Sequence, residues 1–152
     1  MPSKLKTFLS LTFDQKRRFL QAWRLLGVMR FAILTLPFKR LVAGLEVHRE
    51  VLVQAPLDAG DLATAHQIGW AVRKAAQSTP WQSTCLVQVL ATQRMLQQRR
   101  IAGAFYLGAV TGSGEDKKQV LSAHAWLKCG NEIITGEPGH ERFTVVTTFN
   151  WL

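Results

Sequence analysis

Residues 80–100 read PWQSTCLVQVLATQRMLQQRR, and how this stretch folds decides the architecture. Pro80 and Trp81 lead through a short polar run, Gln82, Ser83 and Thr84, into a helical pattern. Leu86, Val89, Leu90, Gln93 and Leu96 mark the faces of a helix that the spacing predicts from about Cys85 to Arg99. Cys85 therefore stands at a helix start. Amides of a first helical turn point their positive ends at whatever sits there, which favours an anionic sulfur. The same amides can hold the oxyanion of a tetrahedral intermediate. A cysteine near a helix end is also commonly a small packed residue, so a catalytic reading needs a base supplied by the fold.

Downstream, the period shortens. AFYLGAV (104–110) and QVLSAHAWLKC (119–129) read as strands joined by the polar loop TGSGEDKK (111–118). Gly130-Asn131 is a tight-turn signal that returns the chain through EIIT (132–135). ERFTVVTTF (141–149) is a further β-rich segment. In the second strand, alternation puts His124, Trp126 and Lys128 on one side and Ala123, Ala125 and Leu127 on the other. Small alanines leave the imidazole room, and Trp126 is placed to wall a site, so His124 is the candidate base for Cys85. His140, in a Gly/Pro-rich turn, reads as a surface residue.

A third group commonly orients such a histidine. The hairpin sets Gly136 and Glu137 roughly across from His124, which makes Glu137 the candidate orienter. Glu132, a backbone oxygen or an asparagine oxygen are the alternatives, and Glu137 also reads as an ordinary exposed carboxylate.

Upstream, Asp61 can cap a helix over LATAHQIGWAVRKAAQ (62–77), with Leu62, Ala65, Ile68, Val72 and Ala75 on one side. His66 within it reads as a hydrogen-bonded packing residue, and Ser78-Thr79-Pro80 ends it. Leu45 to Gly60 suggests a short helix followed by a connection. Nearer the N-terminus, Thr12 and Gln15 form a capping-box pair, so a helix starts near Phe13. Phe19, Leu20, Trp23, Leu26, Val28, Phe31 and Leu34 recur until Pro37. Arg24 and Arg30 interrupt that run, and each would cost about 2.5–3.5 kcal/mol at mid-bilayer. A buried or partner-facing helix is preferred to one lying on a membrane surface. Helices first and antiparallel strands after them make the class α+β, in a single domain over 1–152, with a helical segment over 1–50 and a core over 61–152.

Composition bounds the partners. The 152 residues are 47% hydrophobic and 19% charged, as in a globular chain. Nineteen Lys+Arg against ten Asp+Glu give a net charge of +9, and the cations crowd the first forty residues. No nucleic-acid-binding motif accompanies them, so a solvated basic face is expected and not a nucleic-acid site. No secretory signal is recognisable, so a cytoplasmic, reduced setting is expected, with Cys85 and Cys129 as free thiols. Scattered histidines argue against a metal site.

PWQSTCL, LQQRRIAGAFYLGAV and AHAWLKCGNEIITG, with the leading FLSLTFDQKRRFLQAWRLLGVMRFAILTLPFKRL, together resemble the lasso-peptide maturation proteases. The likeness is to the stand-alone transglutaminase-like cysteine protease of split lasso B systems, over about Phe8 to Phe149. The resemblance implies a papain/transglutaminase-like core, with Cys85 as nucleophile leading a helix and His124 as base on a sheet strand. It implies removal of the leader from a lasso precursor peptide, without a cofactor. A separate small leader-binding protein would deliver the precursor, and an ATP-dependent macrolactam cyclase would close the ring. Gln82, with Trp81 and Trp126 alongside, would assist the oxyanion and substrate. Relatives often carry an aspartate about a dozen residues after the histidine, where this chain has Ile133-Ile134-Thr135-Gly136-Glu137. Two rival functions follow from the same residues: a non-catalytic peptide-binding scaffold, and an acyl transferase using the same cysteine thioester.

Overall fold

The computed structural model describes residues 9, 11–48, 57–80, 83–113, 119–136 and 144–151. Within these, helices α1 (Phe13–Thr35), α2 (Phe38–Leu41), α3 (Ala59–Ala76) and α4 (Cys85–Gln98) accompany strands β1 (Glu46–His48), β2 (Gly103–Ser113), β3 (Gln119–Cys129), β4 (Glu132–Thr135) and β5 (Thr144–Trp151). The class is α+β, as the change of period predicts. The strands form one sheet in the order β1-β5-β2-β3-β4, and each neighbouring pair is antiparallel.

Each helix start has a local cause. The Thr12 hydroxyl accepts from the Gln15 amide at 3.2 Å while the Gln15 side chain accepts from the Thr12 amide at 3.0 Å. This reciprocal box satisfies two otherwise orphaned donors and fixes where α1 begins. Pro37 follows Leu36, the extended C-cap of α1, because a residue before proline is pushed out of the helical region. Asp58, and not Asp61, caps α3: its carboxylate accepts from the Asp61 amide at 2.7 Å. Asp61 instead lies in the first turn, where a carboxylate complements the helix dipole. Thr84 caps α4, accepting from the Val87 amide at 3.4 Å.

The main core lies between the helices and one face of the sheet. Leu26, Ile68, Val72, Leu90, Met95 and Leu96 pack with Phe105, Leu127, Ile134 and Phe149 in a single cluster. Phe105 and Phe149 stack at 4.8 Å between centroids across β2 and β5. Ala104, Tyr106 and Trp126, at the alternate positions of β2 and β3, make a second small cluster.

Several expectations are corrected. The short helix expected between Leu45 and Gly60 is not found in described residues 45–48: Glu46–His48 pairs with β5 as strand β1, residues 49–56 lie outside the described part, and Ala59 and Gly60 already belong to α3. The strand β2 runs on to Ser113, so the loop after it is shorter than TGSGEDKK suggests. The last strand spans 144–151 and not 141–149. In α1 the buried face is Ala22, Leu26, Met29 and Ala32. The bulky Leu20, Trp23, Val28, Phe31 and Leu34 point outward and are exposed, because small residues let α1 approach α3 and α4 closely. His66 is not packed inside. It is half exposed, and its Nε2 lies 2.8 Å from the Glu132 carboxylate.

Candidate active site

Cys85 opens α4, and the loop before it is held by short-range hydrogen bonds. The Thr79 hydroxyl donates to the Ala76 carbonyl at 3.1 Å and lies 2.9 Å from the Ser83 hydroxyl. Gln88, one turn into the helix, donates its amide to the Ser83 carbonyl at 3.0 Å. These contacts, with the Thr84 cap, aim the first turn of α4 and carry Cys85 to the surface of the body. The cysteine is partly buried against the main core, and the rest of it faces a groove.

His124 lies on β3 opposite Gly108 of β2, a position with no side chain to crowd the ring. Trp126, two residues along the same face, stacks on the imidazole with centroids 5.8 Å apart and planes 25° apart. The indole is only 4% exposed and packs with Tyr106 at 5.8 Å. Trp126 therefore backs the imidazole and fixes its plane, where the sequence suggested a wall facing substrate.

His124 Nε2 lies 2.7 Å from the Gly136 carbonyl oxygen. A carbonyl can only accept, so Nε2 carries the proton, and in the neutral ring the lone pair is at Nδ1. Gly136 has φ +83°, and a Cβ built on it would stand 2.5 Å from the Ala125 carbonyl and 2.8 Å from Trp126 Cα. Only glycine fits this approach. Position 136 is one of the two that the hairpin register sets across from His124, and a backbone oxygen is one alternative to Glu137 there. Glu137 lies outside the described residues, as do Trp81 and Gln82.

Cys85 and His124 line one open groove of about 400 Å³, together with Arg73, Gln77, Ser83, Gln88 and Gly136. Arg73 reaches it from the last turn of α3 and donates to the Ile134 carbonyl at 2.5 Å, tying that helix to β4 just before Gly136. Arg73, Gln77 and Gln88 were not anticipated as site residues. Their signal is present in the i, i+4 spacing of Arg73 and Gln77 ahead of the loop before Cys85, and of Thr84 and Gln88 across Cys85. The other thiol stands in contrast. Cys129 is fully buried, and burial pushes its pKa up to about 12, so it stays a packed, protonated side chain. Among the described residues no cluster of histidine, cysteine and carboxylate side chains could hold a metal ion.

A sulfur at a helix N-terminus, sharing a groove with an imidazole whose Nε2 is held by an oxygen, has the elements of thiol-dependent acyl chemistry. Comparison with curated proteins and with solved structures gave no match to the chain. In comparison with protein families, residues 32–148 match the model described as the transglutaminase-like superfamily. That span covers most of the chain, from the end of α1 to β5, and includes both Cys85 and His124. The chain therefore belongs to the transglutaminase-like superfamily, whose members are typically cysteine peptidases or acyl transferases.

Proposed function

We propose that this chain is a cysteine peptidase that removes the leader from a ribosomally made lasso-peptide precursor. The observation that supports the peptidase chemistry is the shared groove, lined by both Cys85 and a His124 that is hydrogen-bonded to the Gly136 carbonyl. The choice of precursor rests on the resemblance of the Pro80–Leu86 and Ala123–Gly136 motifs to the lasso-peptide proteases.

In this reading His124 Nδ1 takes the proton of Cys85, and the thiolate attacks the carbonyl of the last leader residue. First-turn amides of α4 hold the oxyanion. The tetrahedral intermediate collapses as Nδ1 returns its proton to the leaving amine of the core peptide. Water then cleaves the thioester, releasing the leader carboxylate and restoring the thiol. The Gly136 carbonyl serves where a side-chain carboxylate commonly does: it keeps the imidazole oriented. A small leader-binding protein delivers the precursor, and a separate ATP-dependent cyclase uses the freed amine.

The test supplies precursor, leader-binding protein and this chain, and reads product masses. Leader and core peptides are expected, differing from the precursor by one added water in total. Cys85→Ala should abolish both. Normal cleavage by Cys85→Ala would end the proposal. Transfer of the leader acyl group to an added amine, in place of hydrolysis, would move the chain to the acyl transferases of the same superfamily.

A further inference from the structure

The outward face of α1 carries a feature that peptide cleavage does not use. Phe13, Leu20, Phe31 and Leu34 are 78%, 57%, 69% and 67% exposed. At 100° per residue they fall within about 60° of one another, along roughly 30 Å of helix. Such a stripe, bulky at both ends and interrupted by Lys16, Arg24 and Gly27, on a helix whose opposite face is buried in the body, is unusual for a surface that meets only water.

Cations border this stripe. Arg17 and Arg24 lie along one side of it and Arg30 along the other, and Lys39 and Arg40 follow beyond its C-terminal end. On the Arg17 side a groove of about 600 Å³ opens between α1 and the end of α4, lined by Arg17, Leu20, Gln21, Arg24, Gln98 and Arg99. No acidic side chain is among these lining residues. Burial, with the charges of Arg18 and Arg17, lowers the pKa of Arg99, so the positive potential there lacks a compensating carboxylate. Asp14 is the sole acidic residue of α1.

We propose that α1 is an interfacial docking helix that seats the protein on an anionic lipid bilayer. In this arrangement the apolar stripe enters the boundary between headgroups and acyl chains, and lipid phosphates occupy the arginine groove and flank. The stripe is an outward helix face with cations on both sides. That shape suits a deformable anionic plane, whereas a protein partner would need an apolar trough with two acidic walls. No described helix is long and apolar enough to cross a membrane, so the contact is with the surface. The active-site groove, at the other end of α4 and on β3, stays free for substrate.

The test is co-sedimentation of the full chain with vesicles of phosphatidylcholine containing one quarter phosphatidylglycerol, and with pure phosphatidylcholine vesicles. Binding to the anionic vesicles is expected, weaker by about 100-fold on neutral vesicles for three arginines at the surface, and weakening as salt rises. Phe31→Glu with Leu34→Glu should abolish binding to both vesicles. Arg17→Gln with Arg24→Gln should remove most of the preference for anionic lipid. All four side chains are outside the core, and unchanged thermal unfolding would verify that both variants fold. Absence of binding to anionic vesicles would overturn the proposal, as would equal binding to the two compositions. So would a wild-type chain that dimerises in solution, binds no vesicle and becomes monomeric on Phe31→Glu with Leu34→Glu, since the stripe would then be a contact between copies.

Discussion

His124 Nε2 and the Gly136 carbonyl oxygen are 2.7 Å apart, so the orientation of the imidazole depends on a backbone atom. Gly136 holds that atom in place through a left-handed backbone pressed against β3. A methyl group at 136 would collide with the Ala125 carbonyl at 2.5 Å and push the oxygen away from the ring. Gly136→Ala is therefore expected to lower kcat by about 100-fold, the scale for disturbing a positioned general base, with KM nearly unchanged. Steady-state kinetics on precursor separate the two. A fall in KM-linked binding alone would contradict this role.

The two thiols should differ sharply toward a small alkylating reagent at neutral pH. Cys85 faces the groove and should be modified in the folded protein. Cys129 is sealed in the core and should react only after denaturation. Peptide mapping after brief iodoacetamide treatment reads both sites. A peptide-binding scaffold with a merely packed Cys85 predicts protection of both thiols.

Cys129 also gives stability a defined alkaline dependence. Its pKa is 9.0 in the reference state and about 12 when folded, so above pH 9 the unfolded chain loses a proton that the folded chain retains. Stability from this group is intact below pH 9 and falls as pH rises toward 12, by about 1.4 kcal/mol per pH unit. Urea unfolding at pH 8, 9.5 and 10.5 checks the slope. Cys129→Ala should be less stable at pH 8, yet flatter across this window than the wild type.

Arg73 fastens α3 to the strand that carries Gly136. Arg73→Ala removes its bond to the Ile134 carbonyl, and a loss of about 1 kcal/mol is expected for an exposed charged donor. Because β4 then loosens beside Gly136, turnover should drop more than stability alone explains. Denaturant midpoints and kcat, measured together, distinguish local loosening from simple unfolding.

The hydrogen bond between His66 and Glu132, with side chains 46% and 50% exposed, should matter little. Glu132→Gln is expected to cost no more than about 0.5 kcal/mol and to leave cleavage unaffected. Calorimetry together with an activity assay reads both. A large loss would mean that the pair holds the β3–β4 hairpin against α3.

Features written in short-range chemistry were the legible ones. The Thr12–Gln15 box, the start of α4 at Cys85 and the turn at Gly130-Asn131 each depend on residues a few positions apart, and each stands where the sequence put it. Strand β1 was hidden because three residues carry no usable period, and its state is set by pairing with β5 roughly a hundred positions later. Asp58 and Asp61 both suit a cap, and only backbone geometry selects Asp58. The apolar residues that recur along α1 do not by themselves select a buried face, and packing places Ala22, Leu26, Met29 and Ala32 inward. At the site, Cys85 and His124 were legible as residue types. The Gly136 oxygen had no side chain to announce it, and only the hairpin register pointed to that position.

Strand β5 lies between β1 and β2, which constrains how the protein assembles as it is made. Helices α3 and α4 and the β2–β3–β4 meander can dock on one another while β5 is still inside the ribosome. Among the described strands β1 pairs only with β5, so β1, synthesised early, waits about a hundred residues for that partner. Until β5 emerges, the segment offers backbone groups that a chaperone can bind or another chain can pair with wrongly.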